Sequence, residues 1–324
     1  MKRLISLLLC ALLIVPVLAE DAPDFEPIPW DIKVSPNLPN PDCYLPNNGG
    51  YHDDSIDIQI NVTYWTQDLQ QVDAPGEGTT TVMSARVKLT DVSQFRTGFA
   101  NKYPSKQARH VNDMTKRFNA VMGIDGDYCL YHEQGIVVRN GQTLRMRPHK
   151  GRDELIVDEN GDFHLITCTT QAKWDEYIAG GGTVLHAFCF GPALVVDGVP
   201  LTSLDDVTID NGKAKKAQRM VIGQIGKLEY LILTNEGPES TAPKSVGFDL
   251  VQMANLCVRF GLNNAYNLDG GSSSTIALNN QKINSPSSHK NRMVGDCIWF
   301  ATLVKEETWR EKESVQTVEV EKNK

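Results

Sequence analysis

The run Asn267-Leu268-Asp269-Gly270-Gly271-Ser272-Ser273-Ser274-Thr275 concentrates more reactive chemistry than any other segment of the chain. A carboxylate followed by two glycines lets backbone approach a ligand closely, because glycine reaches φ/ψ values closed to other residues. The Ser/Thr run then offers hydroxyls and backbone N–H donors suited to phosphate or sugar oxygens. A tight hairpin turn that merely favours Asp, Gly and Ser is the competing reading. A serine-hydrolase reading fails: Gly271-Ser272-Ser273 is not G-x-S-x-G, no strand–elbow–helix order surrounds it, and no histidine is placed as its base.

Four further segments carry charged groups at the ends of apolar runs. Gly123-Ile124-Asp125-Gly126-Asp127-Tyr128 closes an apolar strand with two carboxylates flanking a glycine. Phe190 to Gly198 reads as turn, strand and hairpin. Gln218-Arg219-Met220-Val221-Ile222-Gly223 sets an arginine at the start of an apolar strand, and Arg292 stands before the last strand. Together with the Asp269 segment these five ordered motifs resemble the phosphodiester glycosidase family, which includes a lysosomal uncovering enzyme and bacterial relatives linked to exopolysaccharide. The family signature N-L-D-G-G-G-S-S-T is matched from Asn267, with Ser272 in place of the third glycine. Its G-I-N-G-G-F-F-like, G-G-P-x-L-V-x-D-G and R-T-A-I-G stretches are similar to Gly123–Tyr128, Phe190–Gly198 and Arg219–Gly223. The resemblance spans roughly residues 55–304. Two departures stand out: Asp125 replaces the usual Asn, and Asn235-Glu236-Gly237 replaces a D-G-R-like turn.

The resemblance implies hydrolysis of a sugar-1-phosphodiester, with an N-acetylglucosamine-1-phospho linkage as one such substrate. A departing phosphomonoester is already a good leaving group, so neutralising its charge matters more than protonating it. Arginine suits that task through its bidentate fork. Arg219 and Arg292 are the candidates, against the bland reading of arginines solvated at strand ends. An oxocarbenium-like transition state needs a carboxylate as nucleophile, base or electrostatic stabiliser. Asp269 is the first candidate, with Asp127 and Asp125 next; two adjacent carboxylates raise one pKa and so create a general acid. The structural alternatives are a turn-capping Asp269 and ordinary loop aspartates. Gly270, Gly271, Ser272, Ser274 and Thr275 are expected to contact phosphate or hydroxyls, Asn267 to bind ligand or fix the loop, and Ser285 and Asn284 to lie on a neighbouring loop. A non-catalytic saccharide- or phosphate-binding protein, or an accessory protein of exopolysaccharide export, is the alternative function.

These residues need a scaffold, and the sequence supplies an α+β pattern of mixed, largely antiparallel sheet with a few packed helices in one catalytic domain. Ser55 to Trp65 alternates with Ile56, Ile58, Ile60, Val62 and Tyr64 on one face, a period-2 strand, and Val82–Leu89 is the next. Asn140-Gly141, Asn160-Gly161, Asp197-Gly198 and Asn211-Gly212 signal hairpins. Asp249 with Gln252 three residues on predicts a capped helix ending before Gly261. A second helix is expected within Gln107–Arg117.

Lys2 and Arg3 precede an apolar run, and Val17-Leu18-Ala19 offers small residues for cleavage, so residues 1–19 are expected to be a secretory signal peptide, with a retained anchor as the alternative. Residues 20–50 are proline-rich, a linker or surface wrap; 51–304 form the domain; residues 305–324, charged at eleven positions, form a frayed tail. The formal charge of −8 becomes about −10 once Lys2 and Arg3 are lost, and an acidic chain without basic clusters excludes nucleic acid as partner. The expected product is a secreted, periplasmic or cell-surface protein with no membrane span, acting on a carbohydrate phosphate. Seven cysteines become six without Cys10, leaving disulfides open, while Cys189, Cys257 and Cys297 read as buried thiols. Asn61-Val62-Thr63 is a sequon. No EF-hand or HExxH spacing occurs and the histidines are scattered, with His132 closest to a candidate segment; no cofactor is implied, a structural calcium being left open.

Overall fold

Alternation of apolar and polar residues builds three antiparallel sheets, each roofed on its outer face by one helix. A computed structural model describes residues 25–205, 215–240, 244–285 and 291–310. The largest sheet has ten strands in the order Tyr44–Leu45, Gly50–His52, Ile56–Trp65, Thr80–Leu89, Glu229–Asn235, Arg219–Gly226, Asn264–Asn267, Ala193–Val196 and Val199–Pro200, with Gln71–Val72 paired to Ile56–Trp65. A second sheet orders Phe163–Ile166, Glu154–Val157, His186–Phe188, Gly135–Arg139 and Gln142–Arg147. The third orders Gln281–Lys282, Ile276–Leu278, Met122–Asp125, Asp296–Phe300 and Phe95–Phe99.

The inner faces of all three converge on one core. Ile58 and Val87 from the first sheet, Leu155 and Phe188 from the second, and Ile124, Ile298 and Phe300 from the third belong to a single buried cluster. The neighbouring residues along the same strands face outward, because successive side chains alternate. Cys297 and Trp299 meet Val111, Met114 and Phe118 of helix α1 (Val111–Phe118). Ile136, Val138 and Ile156 meet Trp174 of α2 (Gln171–Ala179). Val221, Leu231 and Leu233 meet Leu250, Met253 and Cys257 of α3 (Leu250–Arg259).

The expected capping box is present at α3, where the Asp249 side chain accepts from Gln252 N–H and the Gln252 side chain accepts from Asp249 N–H. Helix α1 begins at Val111, later than the expected Gln107. Helix α2 escaped the sequence pattern because Trp174 is its one buried residue, too little for an apolar stripe. The hairpin signals are realised at Asn140-Gly141 (φ 51° and 74°) and Asp197-Gly198 (φ 49° and 80°), both with the paired positive φ that a type I′ turn requires. Asn211-Gly212 lies outside the described residues, as do residues 1–24 and 311–324; residues 306–310 are helical.

The strand Ile56–Trp65 keeps its alternation at Ile56 and Ile58, whereas Val62 is 47% exposed. Within the proline-rich segment the carbonyls of Ile28, Pro29 and Ile32 accept from Arg96, and strands at 44–45 and 50–52 extend the large sheet across the expected boundary at residue 51. All six cysteines of the described chain are free thiols, with Cys129, Cys189, Cys257 and Cys297 buried. No helix among the described residues is long and apolar enough to cross a membrane.

Candidate active site

The Asp269 loop crosses from the large sheet to the third one. It leaves strand Asn264–Asn267 and re-enters as Ile276–Leu278, so residues 268–275 lie where the two sheets meet. Both sides grip it. Leu268 N–H donates to Met220 C=O at 2.8 Å and Gly271 N–H to Gln218 C=O at 2.9 Å on one side, and Asp269 N–H donates to Gly126 C=O at 3.1 Å on the other. Gly271 has φ +63°, a left-handed value that favours glycine. The end of strand Met122–Asp125, the end of Glu229–Asn235, the start of Arg219–Gly226 and the Ile276–Lys282 hairpin therefore all meet around one loop.

Asp269 is 8% exposed. Burial pushes its carboxyl up to about 6, opposed by the Ser273 hydroxyl, the Arg292 guanidinium and Gly270 N–H. The Ser273 Oγ lies near the carboxylate without the geometry of a full hydrogen bond, and it has no other partner. Gly270 N–H donates to Asp269 Oδ1 at 2.8 Å, closing the turn. Asp125 is fully buried; its Oδ1 accepts Thr275 N–H at 2.8 Å and its Oδ2 has no partner. Burial, then the Asp269 charge, raises the Asp125 carboxyl well above its ordinary range, which favours its neutral form. A protonated carboxyl offers one donor and one acceptor, the same pair an asparagine side chain presents. The departure from the family's Asn is thus chemically small.

The hydroxyls of the loop lie beside Asp125 and Asn284. Ser274 Oγ and Thr275 Oγ1 are buried without partners, as is Asn267 Oδ1, while Asn267 Nδ2 is tied to Gly191 C=O at 2.8 Å. Ser272 is half-buried at the loop surface. Asn284 staples the loop, accepting Ile276 N–H at 2.8 Å and donating to Ser274 C=O at 3.0 Å. Buried polar atoms are nearly always satisfied, so a local concentration of orphans marks a place that holds something else.

Three sequence candidates turn elsewhere. Arg219 shares the face of Val221, and its guanidinium donates to Phe248 C=O at 3.3 Å and Lys215 C=O at 2.6 Å beside α3. Burial lowers its pKa to about 10, opposed by Asp249 and not by Asp269. Arg219 therefore braces its strand against α3, and Arg292, stacked 5.7 Å above the Tyr128 ring, is the arginine whose charge reaches Asp269. Asp127 is fully buried with both oxygens engaged: Oδ1 accepts Arg139 Nη2 at 2.8 Å, and Oδ2 accepts Cys189 N–H at 2.8 Å. Burial raises its pKa, and the Arg139 cation and these donors more than reverse that, leaving it low and ionised. It supports the site without facing it. His132 Nδ1 lies 2.9 Å from Gln134 C=O, and burial lowers its pKa.

Asp127, Cys129 and Asp296 bring ligand-type atoms within 4.8 Å of one another. Arg139 Nη2 already occupies the cation position, 2.8 Å from Asp127 Oδ1 and 3.2 Å from Asp296 Oδ2. The donor set does not fit a metal as well as it fits the guanidinium it holds. Cavities of about 760, 430 and 550 Å³ are lined respectively by residues such as Glu26 and Arg310, Asp158 and Tyr177, and Tyr103 and Tyr131, and Asp269 lines none of them. The chemistry singles out the Asp269 loop, not the volume of these concavities.

Two groups went unassigned at the level of sequence. Glu236, 8% exposed, follows strand Glu229–Asn235; Oε1 accepts Ser285 N–H at 3.0 Å, and Oε2 is buried without a partner. Burial pushes it up to about 7, opposed by Ser285 N–H and the Lys282 charge. Lys282 reaches Ser274 C=O at 3.3 Å, its ammonium lowered by burial and supported by Asp125 and Glu236. The sequence signal for Glu236 was a carboxylate at a strand end followed by Gly237, which pattern alone does not separate from a surface turn.

The phosphodiester glycosidase family matches residues 118–301, more than half of the chain. The protein belongs to the phosphodiester glycosidase family. Its fold is similar to that of the zebrafish N-acetylglucosamine-1-phosphodiester alpha-N-acetylglucosaminidase catalytic domain auto-inhibited by pro-peptide, with a TM-score of 0.58 at 13% identity over 76% of this chain and 84% of that one. A hypothetical protein from Synechocystis is similar with a TM-score of 0.50 at 13% identity, over 76% of this chain and 62% of that one. No curated protein matches the chain in sequence. At such identities the structures speak for the fold; the Asp269 loop, Asp125 and Arg292 are the candidate site within it.

Proposed function

We propose that the protein hydrolyses a sugar-1-phosphodiester, releasing the sugar and a phosphomonoester outside the cytoplasm. The observation that carries this reading is a buried aspartate, ionised above about pH 6, set beside an arginine and among buried hydroxyls that lack partners. As the bond between the anomeric carbon and the phosphate oxygen stretches, positive charge grows on the sugar and negative charge on the leaving group. Asp269 opposes the first and Arg292 the second; both interactions strengthen toward the transition state in a site of low polarity, which is what lowers a barrier. The proton on Asp125, together with the Ser274 and Thr275 hydroxyls, supplies donors for sugar or phosphate oxygens. The apolar leader of residues 4–19 supports export.

The test is release of sugar from a synthetic N-acetylglucosamine-1-phosphodiester by the purified protein, with Asp269→Ala and Arg292→Ala alongside. The expected loss in each variant is at least about 10²-fold in kcat, the scale of removing one charge-stabilising contact. Binding of the compound without release favours a saccharide- or phosphate-binding protein instead.

A further inference from the structure

On the far side of the Ser274 loop, unpartnered acceptors crowd together. Glu236 Oε2 and Gln218 Oε1 are both buried without a donor, although Gln218 Nε2 is fixed on Ser285 C=O at 3.1 Å and Glu236 Oε1 on Ser285 N–H at 3.0 Å. Each side chain is thus held by one end and open at the other. Gln218 C=O simultaneously holds Gly271 N–H at 2.9 Å, which ties this pair to the Asp269 loop. Two buried acceptors with no protein donor call for a small molecule that donates hydrogen bonds, and water does so twice. The charges acting on Glu236 complete the picture. Lys282, itself 3.3 Å from Ser274 C=O, is the cation whose charge acts on Glu236 and favours its carboxylate. Asp127, the remaining carboxylate near Asp269, has both oxygens taken and cannot accept a proton without breaking its pairing with Arg139.

We propose that Glu236 is the general base of this hydrolase, holding the attacking water with Gln218 while Lys282 keeps the carboxylate available. This rests on the sugar-1-phosphodiester reading above. In the step, the water oxygen bonds to the anomeric carbon, one water proton passes to Glu236 Oε2, and the electron pair of the cleaved carbon–oxygen bond leaves with the phosphomonoester. Asp269 stabilises charge on the ring and Arg292 takes the phosphate; neither needs to move the water's proton. A base poised near neutral pH is matched to such work, and burial with Lys282 opposite holds Glu236 there.

Glu236→Gln keeps an acceptor for Ser285 N–H and removes the base. The expected result is a fall in kcat of at least about 10²-fold with KM changed less than about threefold, the range for loss of general base catalysis. The wild-type profile of kcat/KM against pH is expected to rise through a limb near 7, and that limb is expected to vanish in the variant, leaving one near 6 from Asp269. Thermal unfolding of both proteins, together with Glu236→Asp, separates misfolding from chemistry: a folded Glu236→Asp with partial activity supports the base, as it restores a carboxylate. Full activity of Glu236→Gln, or a rise in KM with kcat intact, overturns the assignment and leaves the wider reading standing. No release of sugar by the wild type overturns both.

Discussion

Asp269→Asn is expected to make the protein more stable while it removes activity, because one burial causes both effects. The carboxyl has an ordinary value of 3.8 and is pushed up to about 6 in the fold. That gap corresponds to about 3 kcal/mol at 1.36 kcal/mol per unit. A group whose folded value is raised contributes its full stability below the unfolded value and loses it as pH rises through the folded one. The wild type therefore gives up about 3 kcal/mol between pH 4 and pH 6, and stays at that cost above. Asparagine imitates the neutral carboxyl at every pH. The variant and the wild type are thus expected to unfold alike near pH 4 and to separate by up to about 3 kcal/mol at pH 8, a difference of roughly 6 °C or more in Tm. Thermal melts across pH 4 to 8, beside the sugar-release assay, measure both halves. A difference that stays constant with pH, or a variant less stable than wild type at pH 8, would refute the claim that Asp269 is held ionised against its burial.

Asp125→Asn is expected to keep activity within a few-fold and to gain stability as pH rises above 4, since burial raises the carboxyl and favours the neutral form that Asn mimics; parallel melts and sugar release check it. Arg139→Ala leaves Asp127 and Asp296 buried without their cation and is expected to cost about 3–5 kcal/mol, read by denaturant unfolding. Asp249→Ala removes the α3 capping box and is expected to cost about 1 kcal/mol with no change in kcat.

Short-range patterns were the legible part of the sequence. The α3 cap, the paired positive-φ hairpins and the strands at 56–65 and 80–89 each follow from a local rule, as does the Asp-Gly-Gly loop. Convergence of Asp125 on Thr275, 150 positions apart, was legible only through the ordered family motifs. Arg219 shows what such motifs leave open: they place the residue at a strand start, whereas its direction depends on which face of the sheet α3 covers. Glu236 and Lys282 were opaque for the opposite reason. Each sits at the end of a strand like many solvated charges, and only tertiary burial gives them unusual chemistry. Asp127 looked equivalent to Asp125 across one glycine, since residues two apart on a strand share a face, yet the strand ends at Asp125, and beyond it the chain turns Asp127 toward Arg139 while Asp125 meets Thr275.

Two buried groups of charge in this fold differ in how their carboxylate oxygens are answered, although Arg139 Nε itself is buried without a partner. Around Arg139, the Asp127 oxygens meet Arg139, Cys189 N–H and Cys129 N–H, so each is answered by a protein donor. Around Asp269, the Asp125, Glu236, Ser274 and Thr275 side chains keep buried polar atoms with none. Leaving a buried acceptor unanswered costs about 1–3 kcal/mol, and a fold that needed only stability would replace these groups with apolar ones. The first cluster also fixes the second. Gly126 C=O receives Asp269 N–H while Gly126 N–H donates to Asp296 C=O at 3.1 Å, and a Cβ at Gly126 would collide with the Asp296 carboxylate that Arg139 clamps. The paired Asp127–Arg139–Asp296 cluster is thus the footing against which the Asp269 loop is fixed.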